Sequence, residues 1–426
     1  MQVKDPLNVW TQMYIDLEDP DLLAKELPDN YRKYFKADED RPEMMKYFDA
    51  IMAEFGASLL QRMMDFRIKG GKVVGTYCAH IPNDLIYAAG ALPIGLCSAS
   101  TTFAQMGEQF MPVNTCPLVK ASLGARLTHS CPYAASADLL IGETSCDAKT
   151  KAWPIMQEEA DMFVLQLPNR KTAEDFAKFK AELYKMIEAL EELTGNQITA
   201  ESLGEAIHYL NEQKKAIHRM WSYRKRAEIP ISGKDCLIVQ QCAAYVTPLQ
   251  YIDLVNRLCD ELDQRIAQGR TLTTKDTPRI MLSGSPIGLQ AWHINSIIEA
   301  CGGMVVAEET CGSLRLYERL VAEEGASLDE MLDAITAKYF GGIHCACFTP
   351  NPGRIEDLRR LRQDYKVDGL IDIHLKFCQI FDVEHYFIEK EMTKDGLPCI
   401  GLEVDYGDDA SGQLLTRLEA FLEMIA

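Results

Sequence analysis

The sequence predicts an α/β protein with two Rossmann-like parallel-sheet domains, an N-terminal helical segment and a helical linking region. Three observations carry this. Short apolar runs alternate with helix-period segments in two separate stretches of the 426-residue chain. A long charge-laced stretch with few β-branched runs lies between them. Cysteines recur just after the apolar runs, where open parallel sheets gather their functional groups.

Residues 1–67 read as helical. From Met44 to Met64 the apolar positions Met45, Phe48, Ile51, Met52, Phe55, Leu59, Leu60 and Met63 repeat at helical spacing. Residues 68–170 read as the first α/β domain. Its strands are expected at Val73–Cys78, Leu92–Cys97, Asp138–Gly142 and Met162–Leu167, with helices starting at Asn83 and near Cys116-Pro117. Residues 171–270 read as the helical linking region. Residues 271–426 read as the second Rossmann-like domain. Here strands are expected at Arg279–Ser283, Met304–Ala307, Gly342–Cys345, Gly369–Ile373 and Pro398–Val404. Helices are expected at Gln290–Ala300, Ser327–Tyr339, Ile355–Tyr365, Val383–Lys390 and Gly412–Ile425.

Composition narrows the function. A formal net charge of −19 argues against nucleic acid and anionic membrane surfaces as partners. No apolar run approaches the ~20 residues that span a bilayer. Met1–Pro20 carries no apolar signal-peptide core, so a cytoplasmic location is expected. Cysteines there stay reduced and serve as packing groups, metal ligands or nucleophiles. Neither α/β stretch contains Gly-x-Gly-x-x-Gly or a Walker A loop, so no nucleotide site is expected in this chain.

Fourteen cysteines are present. Cys78, Cys146, Cys311, Cys345 and Cys378 each follow or closely follow a strand-like run, and Cys116 precedes Pro117, a favoured first helical residue. Thiolates are good ligands for soft iron and zinc centres, and helix N-termini stabilise anionic sulfur. The paired Cys-x-x-Cys knuckles of structural zinc sites and the Cys-x2-Cys-x2-Cys run of ferredoxins are both absent. Any metal site is therefore assembled by the tertiary fold. Cys97, Cys236, Cys242, Cys259, Cys301 and Cys399 read as packing residues, since free cysteine is often simply buried. Cys131 and Cys347 fall between the groups. His80, His344, His374, Glu143, Lys149 and Lys376 stand near the same turns as candidate cavity residues. A single strand histidine is nevertheless more often a satisfied core residue than a ligand.

These residues sit in segments that resemble the 2-hydroxyacyl-CoA dehydratase and benzoyl-CoA reductase superfamily of anaerobes. The segments are Val74-Gly75-Thr76-Tyr77-Cys78, Cys116-Pro117-Leu118-Val119-Lys120, Cys131-Pro132-Tyr133 and Gly142-Glu143-Thr144-Ser145-Cys146-Asp147. Gly284-Ser285-Pro286-Ile287-Gly288, Cys345-Ala346-Cys347 and Val367-Asp368-Gly369 leading to Phe377-Cys378 follow. The likeness runs from about residue 70 to the end of the chain.

The resemblance implies one [4Fe–4S] cluster on Cys78, Cys116 and Cys378, as in dehydratase subunits. It is stronger to the double-cubane branch, which adds three cysteines. Those match Cys146, Cys311 and Cys345, with Cys347 an alternative to Cys345 and Cys131 to one of the six. That branch implies an [8Fe–9S] group of two cubanes joined by a sulfide, a homodimer, and an ATP-hydrolysing reductase partner with its own [4Fe–4S] cluster. The expected activity is low-potential reduction of small molecules. The alternatives are a [4Fe–4S] subunit of a 2-hydroxyacyl-CoA dehydratase and a non-catalytic electron-transfer protein.

Overall fold

Eight of the nine expected strands form, and all eight pair in parallel. The computed structural model describes residues 31, 40–53, 57–97, 99–288, 292–406 and 411–425. The helical reading of residues 1–30 and 32–39 lies outside them. Within the described part, Met45–Ala53 and Ala57–Ile68 are helices, as the spacing required.

Two units divide the chain. The first comprises residues 57–214 and 319–351 and the second residues 31, 40–53, 215–318 and 352–425, taking described residues only. The first unit holds β1 (Val73–Thr76), β2 (Leu92–Gly95), β3 (Leu139–Glu143) and β4 (Met162–Leu165). The second holds β5 (Arg279–Gly284), β6 (Met304–Glu309), β7 (Gly369–Leu375) and β8 (Cys399–Val404).

The two sheets share one topology. Their strand orders are β2-β1-β3-β4 and β6-β5-β7-β8. In each, the order reverses beside the first strand, leaving a crevice between the first and third strands at their carboxyl ends. Ligands of open α/β sheets bind there. β5, β6 and β7 are buried along their whole length, which is how a parallel strand covered on both faces must sit. Pro93 lies in β2, an edge strand, where its missing N–H costs no ladder bond.

The strand expected at Gly342–Cys345 does not form. The helix Leu328–Thr336 runs into a π-helical turn at Ala337–Gly341, and irregular chain follows. Polar side chains replace the ladder. Lys171 Nζ donates to the carbonyls of Gly341 (3.0 Å) and Ile343 (2.8 Å), and Asn351 Nδ2 donates to that of Cys345 (2.9 Å). Ile343 is buried, so the apolar run was real but serves a loop.

Glycine permits two tight spots. A Cβ on Gly124 would stand 2.0 Å from the Phe103 carbonyl oxygen, so the helix Pro117–Leu127 packs backbone-close on Thr101–Gly107. Gly284, at the carboxyl end of β5, has φ +112°, and its Cβ would fall 1.9 Å from the Ile373 carbonyl oxygen. Gly284→Ala is therefore expected to cost about 2–4 kcal/mol. Urea unfolding monitored by circular dichroism measures this, with Gly95→Ala, which has open space, as the neutral control. Equal midpoints for the two variants would contradict the packing described.

Candidate metal centre

β1 and β3 end at Thr76 and Glu143, and the chain reaches Cys78 and Cys146 just beyond. These cysteines flank the switch point of the first sheet. Cys146 is extended (φ −153°, ψ 162°) and caps the helix Asp147–Gln157. Cys116 caps the helix Pro117–Leu127, with proline at its first turn. In the second unit Cys378 caps Gln379–Lys394. Each cap position faces backbone N–H groups without helical partners and the positive end of the helix dipole.

The turn carrying Cys146 is locked from several sides. Ser145 N–H donates to Glu143 Oε2 (2.6 Å), Trp153 Nε1 to the Glu143 carbonyl (2.7 Å), and Leu167 N–H to Thr144 Oγ1 (2.9 Å). Lys149, one turn into the helix, donates to the Glu143 carboxylate and to the Tyr77 carbonyl (3.2 Å). One ammonium thus ties the β3 turn to the residue before Cys78. Burial opposes ionisation of Glu143, but Lys149 outweighs it and holds the carboxyl below its usual range. Burial likewise opposes the ammonium, and Glu143 reverses that, holding Lys149 well above its usual value. The pair is charged and buried.

A second group gathers in the irregular chain after the π-turn. A ring nitrogen of His80 and the sulfurs of Cys345 and Cys347 lie within 4.8 Å of one another. His80 is 1% exposed, and its Nδ1 sits 2.8 Å from the Tyr339 carbonyl oxygen. A carbonyl only accepts, so Nδ1 carries the hydrogen. Nε2, buried and without a hydrogen-bond partner, then carries a lone pair. The π-turn supplies that Tyr339 carbonyl.

The surroundings disfavour the thiolate at Cys146 and Cys347. Burial pushes the Cys146 thiol up, against the pull of the Lys149 N–H and ammonium. The Cys347 thiol is pushed well up by its hydrogen bond with Cys345 and by burial. A metal cation replaces those protons and removes the penalty. Convergent sulfur donors, helix N-termini and an orphaned imidazole nitrogen suit a soft metal with anionic sulfur. An iron–sulfur group fits this donor set.

In the second unit, Cys311 follows β6 and Cys378 follows β7. Phe377, just before Cys378, has φ +62°, a costly conformation for a bulky residue that turns the chain into the helix. Two buried carboxylates close β6. Glu308 accepts from Arg224 (3.3 Å), Gln240 (3.0 Å) and Asn295 (2.9 Å). Glu309 accepts from Arg315 Nε (2.7 Å), Arg315 Nη2 (2.8 Å) and Ser283 (2.9 Å).

The six expected ligands thus divide four and two: Cys78, Cys116, Cys146 and Cys345 in the first unit, Cys311 and Cys378 in the second. In the first unit Cys146 lies near Cys116, and Cys347 near Cys78. Cys236, Cys242 and Cys259 are buried in helices, and Cys399 opens β8 at the amino end, away from the ligand side. Arg315 and Tyr339 were missed from sequence. An arginine four residues after Cys311 was the available signal for the first. The second acts through its backbone and left none.

Comparisons with known proteins show the family of the chain. A family profile described as 2-hydroxyglutaryl-CoA dehydratase, D-component, matches residues 78–425. The provisionally named dehydratase subunit YjiM of Escherichia coli K12 is 35% identical over 369 residues, 85% of this chain and 94% of that protein. The (R)-phenyllactyl-CoA dehydratase beta subunit of Clostridium sporogenes is 23% identical, covering 84% and 92%. One of the benzoyl-CoA reductase subunits of Thauera aromatica is also 23% identical, covering 90% and 96%.

Breaking the Glu143–Lys149 pair should be costly. Glu143→Gln leaves an ammonium buried without its counter-ion and is expected to lose about 3–5 kcal/mol, of which adding Lys149→Met recovers much. Denaturant unfolding of the metal-free protein checks this. A single variant as stable as the parent would show that Lys149 is not held as described.

Proposed function

Because this chain belongs to the 2-hydroxyglutaryl-CoA dehydratase D-component family, within the 2-hydroxyacyl-CoA dehydratase and benzoyl-CoA reductase superfamily, we propose that it is a low-potential iron–sulfur reductase component carrying a double-cubane [8Fe–9S] group. The ligands are the six cysteines that the resemblance implies: Cys78, Cys116, Cys146, Cys311, Cys345 and Cys378. Electrons come from an ATP-hydrolysing partner with its own [4Fe–4S] cluster, and the working form is a cytoplasmic homodimer. Among the described residues no helix is long and apolar enough to cross a membrane.

One observation carries the reading. Cys146 occupies the same kind of position as Cys116 and Cys378, at a helix N-terminus, and flanks the switch point opposite Cys78. A single four-iron cluster on Cys78, Cys116 and Cys378 leaves Cys146 and the buried Cys345 without work.

When bound, such a group supplies single electrons at low potential. The protein's part is to place and insulate it. Helix N-termini offset its negative charge, and the Glu143–Lys149 pair fixes the turns bearing Cys78 and Cys146. His80 Nε2 offers a lone pair to a metal or a proton. A site closed by six thiolates suits a small unsaturated substrate better than an acyl-CoA thioester.

The names of the relatives favour a second reading, a 2-hydroxyacyl-CoA dehydratase subunit with one cluster and a different partner subunit. Iron content separates the two. The anaerobically purified protein is expected to carry about eight irons per chain, against about four for one cubane. Cys146→Ser and Cys311→Ser should each lower iron and sulfide by about half. Four irons in the parent, unchanged in both variants, would establish the second reading.

A further inference from the structure

We propose that Arg315 is a positioning residue that sets the reduction potential of the metal group at Cys311 by donating a hydrogen bond to its sulfur. This rests on the reading above, in which Cys311 is a ligand.

Arg315 lies in the short helix Leu314–Tyr317, just past the turn that presents Cys311. Its side chain is 1% exposed. Two of its nitrogens are committed elsewhere. Nε donates to Glu309 Oε1 (2.7 Å), and Nη2 donates to Glu309 Oε2 (2.8 Å), the Glu309 carbonyl (2.9 Å) and the Gly284 carbonyl (3.2 Å). The guanidinium therefore spans the carboxyl ends of β5 and β6 and cannot swing away. Phe381 lies along it, ring centroid 5.4 Å from Cζ. The third nitrogen, Nη1, donates to Cys311 Sγ at 3.2 Å.

The arrangement aims a fixed cationic donor at one sulfur. Glu309 balances the net charge, so the pair acts as an oriented donor and not as a bare cation. Glu309 has other company, with Ser283 Oγ at 2.9 Å and Arg354 Nη2 at 3.4 Å, so its burial does not by itself require Arg315. Hydrogen bonds to ligand sulfur draw electron density from the metal and stabilise the reduced, more negative state. A charge-assisted bond in a buried site is worth more than one in water. Lysine does not replace the fork, because one ammonium lacks the geometry to hold Glu309 and face the sulfur together.

The test uses anaerobically loaded holoprotein and reads iron, sulfide and midpoint potential by redox titration with electron paramagnetic resonance. The principal variant is Arg315→Met with Glu309→Gln. It removes one positive and one negative charge together, so net charge is kept while the hydrogen bond is lost. Full metal content with a reduction equilibrium at least roughly tenfold less favourable, about 59 mV lower for one electron, is the expected result. Full metal content at an unchanged potential overturns the proposal. Should the double variant not fold, Arg315→Lys is read the same way: a lowered potential supports the role and an unchanged one refutes it. Cys311→Ser is the separate control. If it keeps all its iron, the ligand assignment of Cys311 fails first, and that outcome is distinct from a failure of Arg315 alone.

Discussion

A parallel strand that turns directly into a helix points free backbone N–H groups at one place, and this chain puts sulfur there repeatedly. Cys116, Cys146 and Cys378 each cap a helix, and Cys78 and Cys146 border the crevice where strand order reverses. The chain as a whole is strongly acidic, with net charge −19. Local backbone polarity must supply the positive potential that net composition denies. The rest of the site serves this constraint.

The buried ion pairs act in that service. Lys149 spans two strand ends, and Arg315 spans two more. Ion pairs this deep are poor sources of stability, because desolvation cancels most of the attraction. Their use here is geometric. Each ties down the chain just beyond a strand end, and each of these turns carries a cysteine. The strained Phe377 does the same for Cys378 by backbone means.

The strands were legible because a buried parallel strand must be an apolar, β-branched run, and Val73-Val74, Met304-Val305-Val306 and Leu370-Ile371 are such runs. The run at Gly342–Cys345 has only one β-branched residue, Ile343, and became a loop, with the carbonyls of Ile343 and Cys345 taken by Lys171 and Asn351. No local pattern reveals that, since Lys171 is far away in sequence. The shared strand order of the two sheets was invisible for a similar reason: pairing between strands is not written in either strand. The cysteines at strand ends and helix starts were readable as a set. The His80 nitrogen was not, because only the π-turn carbonyl of Tyr339 fixes which ring nitrogen is left open.

The most direct measurement is an anomalous-difference map at the iron edge from anaerobically grown crystals. The account predicts two compact iron peaks bonded to the sulfurs of Cys78, Cys116, Cys146, Cys311, Cys345 and Cys378. A single peak touching only Cys78, Cys116 and Cys378, or no iron signal at any of these sulfurs, would contradict it.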